Sequence, residues 1–249
     1  MSEAPLSPAV EPAAPQQGPR LWLRPLGVAV ATTALVTGLS YGMPDNYAAT
    51  AVGLGFLAAT YVVALRRDHP LPPEHYGLAL GGLLDPEPLS PARIGKDAAR
   101  ALAWALGLAL AIFPLFWLGY LWWWRPRHAF VPGALPALGD DVLGQLLVIA
   151  LPEEAFYRGY LQTALDDAWK PRWKILGAEL GWGVLVSAAL FALGHFATEV
   201  HPNRLAVFFP ALAFGWLRAR TKGIGAGIVF HALCNLFAAY LARSYGMGR

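Results

Sequence analysis

The sequence predicts an all-α, polytopic membrane protein built as a bundle of about seven (six to eight) transmembrane helices. Three observations carry that reading. Of the 249 residues, 56% are hydrophobic and only 14% are charged. An ordinary soluble domain carries about 25% charged residues, so the charges here are too few to cover a globular surface. Mean hydropathy is +0.43, and apolar windows without a charged residue recur at close to the roughly 20 residues a spanning helix needs. The same composition excludes a soluble enzyme and a disordered chain. Cys234 is the single cysteine, which excludes a disulfide framework and a cysteine-based zinc cluster. A net charge of +3, dispersed along the chain, excludes nucleic acid as a partner.

Residues 1–20 hold five prolines and no apolar run. They read as a disordered, Pro-rich cytoplasmic tail rather than a signal peptide. Residues 21–249 form a single integral membrane domain, with a catalytic core over about 141–245. Windows 26–43, 47–65 and 101–124 contain no charge and give the first three spans. The stretch 68–97 is Pro-rich and reads as a loop whose 76–84 part lies along the membrane interface. Window 142–165 is apolar at both ends and carries Glu153, Glu154 and Arg158 in its middle, with Asp140 or Asp141 as its expected N-cap. Windows 180–198 and 224–242 are each interrupted by one histidine, and 205–217, at 13 residues, is the short span. Trp122–Trp124, Trp169 and Trp173 fall where interfacial aromatic belts sit.

The Lys/Arg bias between loops sets the orientation. With seven spans and the N-terminus in the cytoplasm, 13 lysines and arginines lie on the cytoplasmic side against five outside, with Arg158 inside a span. Omitting the short span would invert the last helix against this bias.

Charges in a span cost at least about 2.5–3.5 kcal/mol each and mark function. Glu154 and Arg158 stand at i, i+4 on one face of the fourth span and can neutralise each other. Glu153 lies about 100° away round the helix, without a partner at that spacing, and is the carboxylate left for chemistry. Pro152 removes a helical hydrogen bond just before the pair. His195 follows Phe191 by one turn, and His231 shares a face with Asn235. Polar residues in spans face the bundle interior, so a glutamate, two imidazoles and an amide converge on one cavity. A carboxylate beside a histidine can take a proton from water and give it to a leaving amine, while a second imidazole and an amide N–H stabilise an oxyanion. The set amounts to an amide hydrolase without a nucleophilic side chain and without a cofactor.

Other readings stand beside this one. Glu153, His195 and His231 could bind zinc in a His₂Glu arrangement, although no HExxH helix anchors it. The same cluster suits a non-catalytic membrane scaffold or immunity protein that binds a partner, or a proton-coupled transporter. Gly38-Leu-Ser40-Tyr-Gly42 matches the nucleophile elbow but ends a membrane helix, where no strand–turn–helix forms. Gly223, Gly225 and Gly227 permit close helix approach ahead of His231.

Glu153-Glu154-x-x-x-Arg158, Phe191-x-x-x-His195 and His231-x-x-x-Asn235, in this order on separate hydrophobic helices, resemble the three motifs of the CPBP intramembrane proteases, the group of the CAAX prenyl endopeptidases and abortive-infection proteins. Every motif position matches, and the resemblance covers about residues 141–245. It implies a glutamate-type protease in which Glu153 activates water with His195 as its partner. His231 and Asn235 would form the oxyanion site, and Glu154, Arg158 and Phe191 would support it. The implied partner is a membrane-anchored protein or peptide cut near its C-terminus, as in the sorting myxosortases, and prenylation of that substrate is not implied. The expected location is the bacterial inner (cytoplasmic) membrane; oligomeric state is not legible.

Overall fold

A backbone in hydrocarbon can hydrogen-bond only to itself, and the uncharged runs accordingly fold as helices. The computed structural model describes residues 21–84, 88–133 and 136–247; the expected tail, residues 1–20, lies outside them. Seven helices follow one another among the described residues: α1 (Leu23–Gly42), α2 (Asp45–Leu65), α3 (Pro91–Trp124), α4 (138–169), α5 (Trp182–Thr198), α6 (Phe208–Thr221) and α7 (Gly225–Ser244). α4 runs unbroken through Leu138–Ala150, Leu151–Glu154, Ala155–Gln162 and Thr163–Trp169, its first and third pieces wound in wide π turns. α1, α2, α3 and α7 are long and apolar enough to cross a membrane. α5 is apolar but has 17 residues, and α6 has 14.

Successive helices reverse direction. Trp22, at the start of α1, meets Trp169 at the end of α4 with ring centroids 6.2 Å apart. At the other end of α1, the Tyr41 hydroxyl donates to the Ala197 carbonyl near the end of α5 (3.1 Å). Arg66, Arg67, Lys170, Arg172, Lys174, Arg218, Arg220 and Lys222 therefore gather at one end of the bundle, the basic end. α4 forms its axis: residues 152–162 are buried without exception, and a helix buried all round belongs to a core. α1, α2, α5, α6 and α7 pack round it, while α3 runs along α7 and turns Leu110 and Leu118 outward.

Three features depart from the sequence reading. α3 begins at Pro91 rather than near residue 101, with Ser90 as N-cap accepting from the Arg93 N–H (3.4 Å). Its 34 residues reach about 50 Å, beyond a hydrocarbon core of about 30 Å. The charges of the extra turns conceal them from a search for apolar windows. Next, a small antiparallel hairpin, β1 (Trp173–Ile175) and β2 (Ala178–Leu180), lies at the basic end. Its two turn residues, Leu176 and Gly177, both have positive φ, the requirement of a type I′ turn. Finally, the 76–84 stretch is buried at its start, while Leu83 and Leu84 stay exposed. It folds into the basic end, where Tyr76 and Leu78 are buried and the Ile224 N–H donates to the Gly77 carbonyl (3.1 Å). Burial there pushes the Tyr76 phenol up to about 12.

A close contact of two helix backbones adjoins the charged segment. Pro152 has no N–H to give to Val148, and the Val148 carbonyl faces Gly53 of α2, where a Cβ would come within 2.5 Å of its oxygen. Gly53→Ala is expected to destabilise the bundle by about 1–3 kcal/mol through overpacking. Gly27→Ala, on an exposed face with nothing within 4 Å, is expected to leave thermal unfolding in detergent unchanged or slightly raised.

Candidate active site

The sequence Pro152-Glu153-Glu154 puts two carboxylates at mid-length of the axial helix, one residue apart and so directed to different neighbours. Glu154 is fully buried, with Oε1 3.0 Å from Arg158 Nη1 and 3.1 Å from His231 Nδ1. The expected i, i+4 pair is thus formed, and it extends to α7. Arg158 also donates from Nη2 to the Ala211 carbonyl of α6 (3.3 Å). Its guanidinium lies over Phe191 at 4.3 Å and Phe214 at 5.0 Å, so aromatic faces supply what lost hydration no longer can.

His231 is held on every side. Its ring stacks on Phe214 at 4.7 Å and 14°, and meets Phe191 edge-on at 5.8 Å. A carboxylate oxygen accepts, so Nδ1 carries the hydrogen that faces Glu154. Nε2 then points to Glu153, whose Oε2 is 3.7 Å away, outside direct hydrogen-bond range. That Glu153 oxygen is buried and makes no hydrogen bond. The two atoms face each other without a direct hydrogen bond.

His195 sits in the last turn of α5. Its Nδ1 donates to the Phe191 carbonyl (3.1 Å), leaving Nε2 as the acceptor, and its ring lies 4.4 Å from that of Phe191. It is within electrostatic reach of Glu153 and His231; among the described residues, however, the histidine in ion-pair range of Glu153 is His231. Asn235 lies one turn beyond His231 and donates from Nδ2 to Gln145 Oε1 (2.8 Å). Gln145, on the first part of α4, escapes the sequence reading. Its signal is an uncharged amide in an otherwise apolar run, weaker than a charge. Phe191 stands at the centre, touching Arg158, His195 and His231 with one ring.

Glu153, His195 and His231, the residues that would bind zinc, do not form a ligand group, and no three His, Cys, Asp or Glu side chains among the described residues do. The smaller leads resolve plainly. Asp141 is not the N-cap: α4 starts after Ala137, and Asp141 reaches back to accept from the Ala137 N–H (2.9 Å). Ser40 donates to the Thr37 carbonyl within α1 (3.1 Å) and forms no elbow. Gly227 gives α7 its close approach, since a Cβ there would stand 2.9 Å from Glu154 Oε2.

Replacing Arg158 with Met leaves Glu154 buried without its cation and is expected to cost about 3–5 kcal/mol. Adding Glu154→Gln to that variant is expected to recover most of the loss. Thermal unfolding of both proteins in the same detergent measures the difference.

A family model for the type II CAAX prenyl endopeptidase Rce1-like proteins matches residues 140–237. No curated protein and no solved structure matches the chain. The matched segment contains the whole polar centre, from Gln145 through Glu153, Glu154, Arg158, Phe191, His195 and His231 to Asn235, and over that segment the chain is similar to the CAAX-type membrane proteases.

Proposed function

We propose that the protein is an intramembrane endopeptidase that hydrolyses a peptide bond near the C-terminus of a membrane-anchored protein, using water activated by Glu153. One observation carries the choice of residue. Of the two buried carboxylates, Glu154 is committed to Arg158 and His231, whereas Glu153 Oε2 is free of hydrogen bonds and faces an imidazole nitrogen at 3.7 Å. A water between Glu153 and His195 Nε2 gives its proton to the carboxylate and attacks the scissile carbonyl. The oxyanion that forms is met by the second N–H of the Asn235 amide, whose first is engaged with Gln145, and by His231 once Nε2 as well as Nδ1 carries a proton. Glu153 then passes the proton to the leaving amine, and no covalent intermediate is made.

Glu154 and Arg158 act on His231 rather than on substrate. They fix which nitrogen faces the reaction, as second partners of a histidine commonly do. No metal is required by this scheme. The basic end faces the cytoplasm of a bacterial inner membrane by the positive-inside rule, and the substrate is of the sorting type, its lipid modification left open by these residues.

Wild type and Glu153→Gln, shown to unfold at the same temperature, are to be incubated in liposomes with membrane-anchored C-terminal peptides, and products read by mass spectrometry with and without a zinc chelator. Wild type is expected to cut and Glu153→Gln to lose at least about 10²-fold, the contribution of a general base. Chelator is expected to change nothing. Equal cutting by both proteins overturns the role of Glu153, and equal partner binding with no cutting by either points to a scaffold built on the same cluster.

A further inference from the structure

Hydrolysis consumes one water for each bond cut, and Glu153 lies at mid-length of the most enclosed helix. The same helix carries a buried polar ladder towards the basic end. Glu154, Arg158, Gln162 and Asp166 follow at four-residue steps, each about 6 Å along the axis. Two donors of this ladder are spent on helix contacts, Arg158 Nη2 on the Ala211 carbonyl (3.3 Å) and Gln162 Nε2 on the Gly215 carbonyl (3.1 Å), and Arg158 Nη1, which makes no hydrogen bond, faces Glu154 Oε1 as an ion pair (3.0 Å). The acceptors are not spent. Glu154 Oε2, Gln162 Oε1 and Asp166 Oδ1 are buried and have no hydrogen-bond partner.

Leaving a buried acceptor unsatisfied costs about 1–3 kcal/mol, and three in a row on one helix face are more than a clasp between helices requires. A glycine lies close against each: Gly227 of α7 against Glu154 Oε2, Gly215 of α6 against Gln162 Oε1, and Gly183 of α5 against Asp166 Oδ1. A polar cavity of about 240 Å³ begins at the basic end and reaches Gln162, bordered by His75, Thr163, Asp166, Asp167 and Arg218. That volume holds several waters at about 30 Å³ each.

We propose that the cavity and the ladder above it form the inlet by which water reaches the reaction centre. Resting on the peptidase reading, this assigns Gln162 and Asp166 as positioning residues for water, the second substrate of the reaction. Water fills the cavity from the basic end and donates to the oxygens of Asp166 and Gln162. Arg158 and Glu154 carry the polar line onward to His231, which faces Glu153. A purely structural ladder would be dry, and the two alternatives differ in chemistry.

The test uses full-length protein in lipid nanodiscs with Cys234→Ala as background. Asp166→Cys and Gln162→Cys are expected to react with a charged, membrane-impermeant methanethiosulfonate, while Leu161→Cys, on the same turn and fully buried, is not. A folded Gln162→Cys protein that stays unreactive overturns the inlet. In the cleavage assay, Gln162→Leu is expected to lower kcat on the order of tenfold, the size of one lost polar step, with KM unchanged and with Gln162→Glu restoring turnover. Wild-type kcat in Gln162→Leu also overturns it. A wild type that cuts no peptide brings down the peptidase reading instead, and thiol labelling then decides the inlet by itself.

Discussion

The constraint on which the structure depends is the placement of three charges in the middle of an apolar helix. Glu153, Glu154 and Arg158 cannot face lipid, since the desolvation of each would go uncompensated. α4 must therefore be surrounded. Arg158 pairs with Glu154, donates a hydrogen bond to Ala211 and lays its guanidinium on the faces of Phe191 and Phe214. Those contacts draw α5 and α6 against α4, and Glu154 draws α7 through His231. The other side is closed by α2, where Gly53 lets the backbones approach. α3 has no part in enclosing the charges and lies outside, with its leucines turned to lipid.

How much of this could be read from residues alone follows the same physics. Uncharged runs are visible because a bilayer tolerates little else, and a helix is found at each of the seven windows, four of them long and apolar enough to cross a membrane. The Glu154–Arg158 pair is visible because i, i+4 spacing survives any packing. What stays hidden is set by contacts between distant segments. The start of α3 at Ser90 is masked by its own charges, and the turn at Leu176-Gly177 lacks the Asn-Gly signature of its type. Nothing local says that Tyr76 and Leu78 will turn inward, because their burial is provided by α4 and by the α6–α7 connection. In the centre, motif order identifies the residues but not their pairing: the link from His231 to both glutamates, and from Asn235 to Gln145, exists only once α4 and α7 are packed together.

The irregular winding of α4 belongs with its task. Pro152 cannot continue the normal hydrogen-bond ladder, and wide turns lie on both sides of the Leu151–Glu154 segment. Wide turns are uncommon in helices and often found at functional sites. Here they adjoin the residues that would have to accommodate water and an extended substrate, while the strict stacking of Phe214 on His231 keeps the imidazole fixed. The softer backbone of α4 and the fixed ring on α7 meet at the Glu154–His231 contact.

Two adjacent glutamates would repel if both faced the same cavity, and the helix separates them by about 100°. His231 then meets both, one at each ring nitrogen, because its ring is clamped in the only plane that Phe214 and Phe191 allow. Nδ1 is 3.1 Å from Glu154, a full hydrogen bond, and Nε2 is 3.7 Å from Glu153, which is not one. That difference of 0.6 Å divides the roles. The closer contact orients the ring and is buried with Arg158; the longer leaves a carboxylate oxygen and an imidazole nitrogen facing each other without having met. A purely structural cluster gains nothing from holding those two atoms apart, since a proton shared across a shorter gap would satisfy both. A carboxylate that must take a proton from water, as proposed for Glu153, has reason to keep that oxygen free.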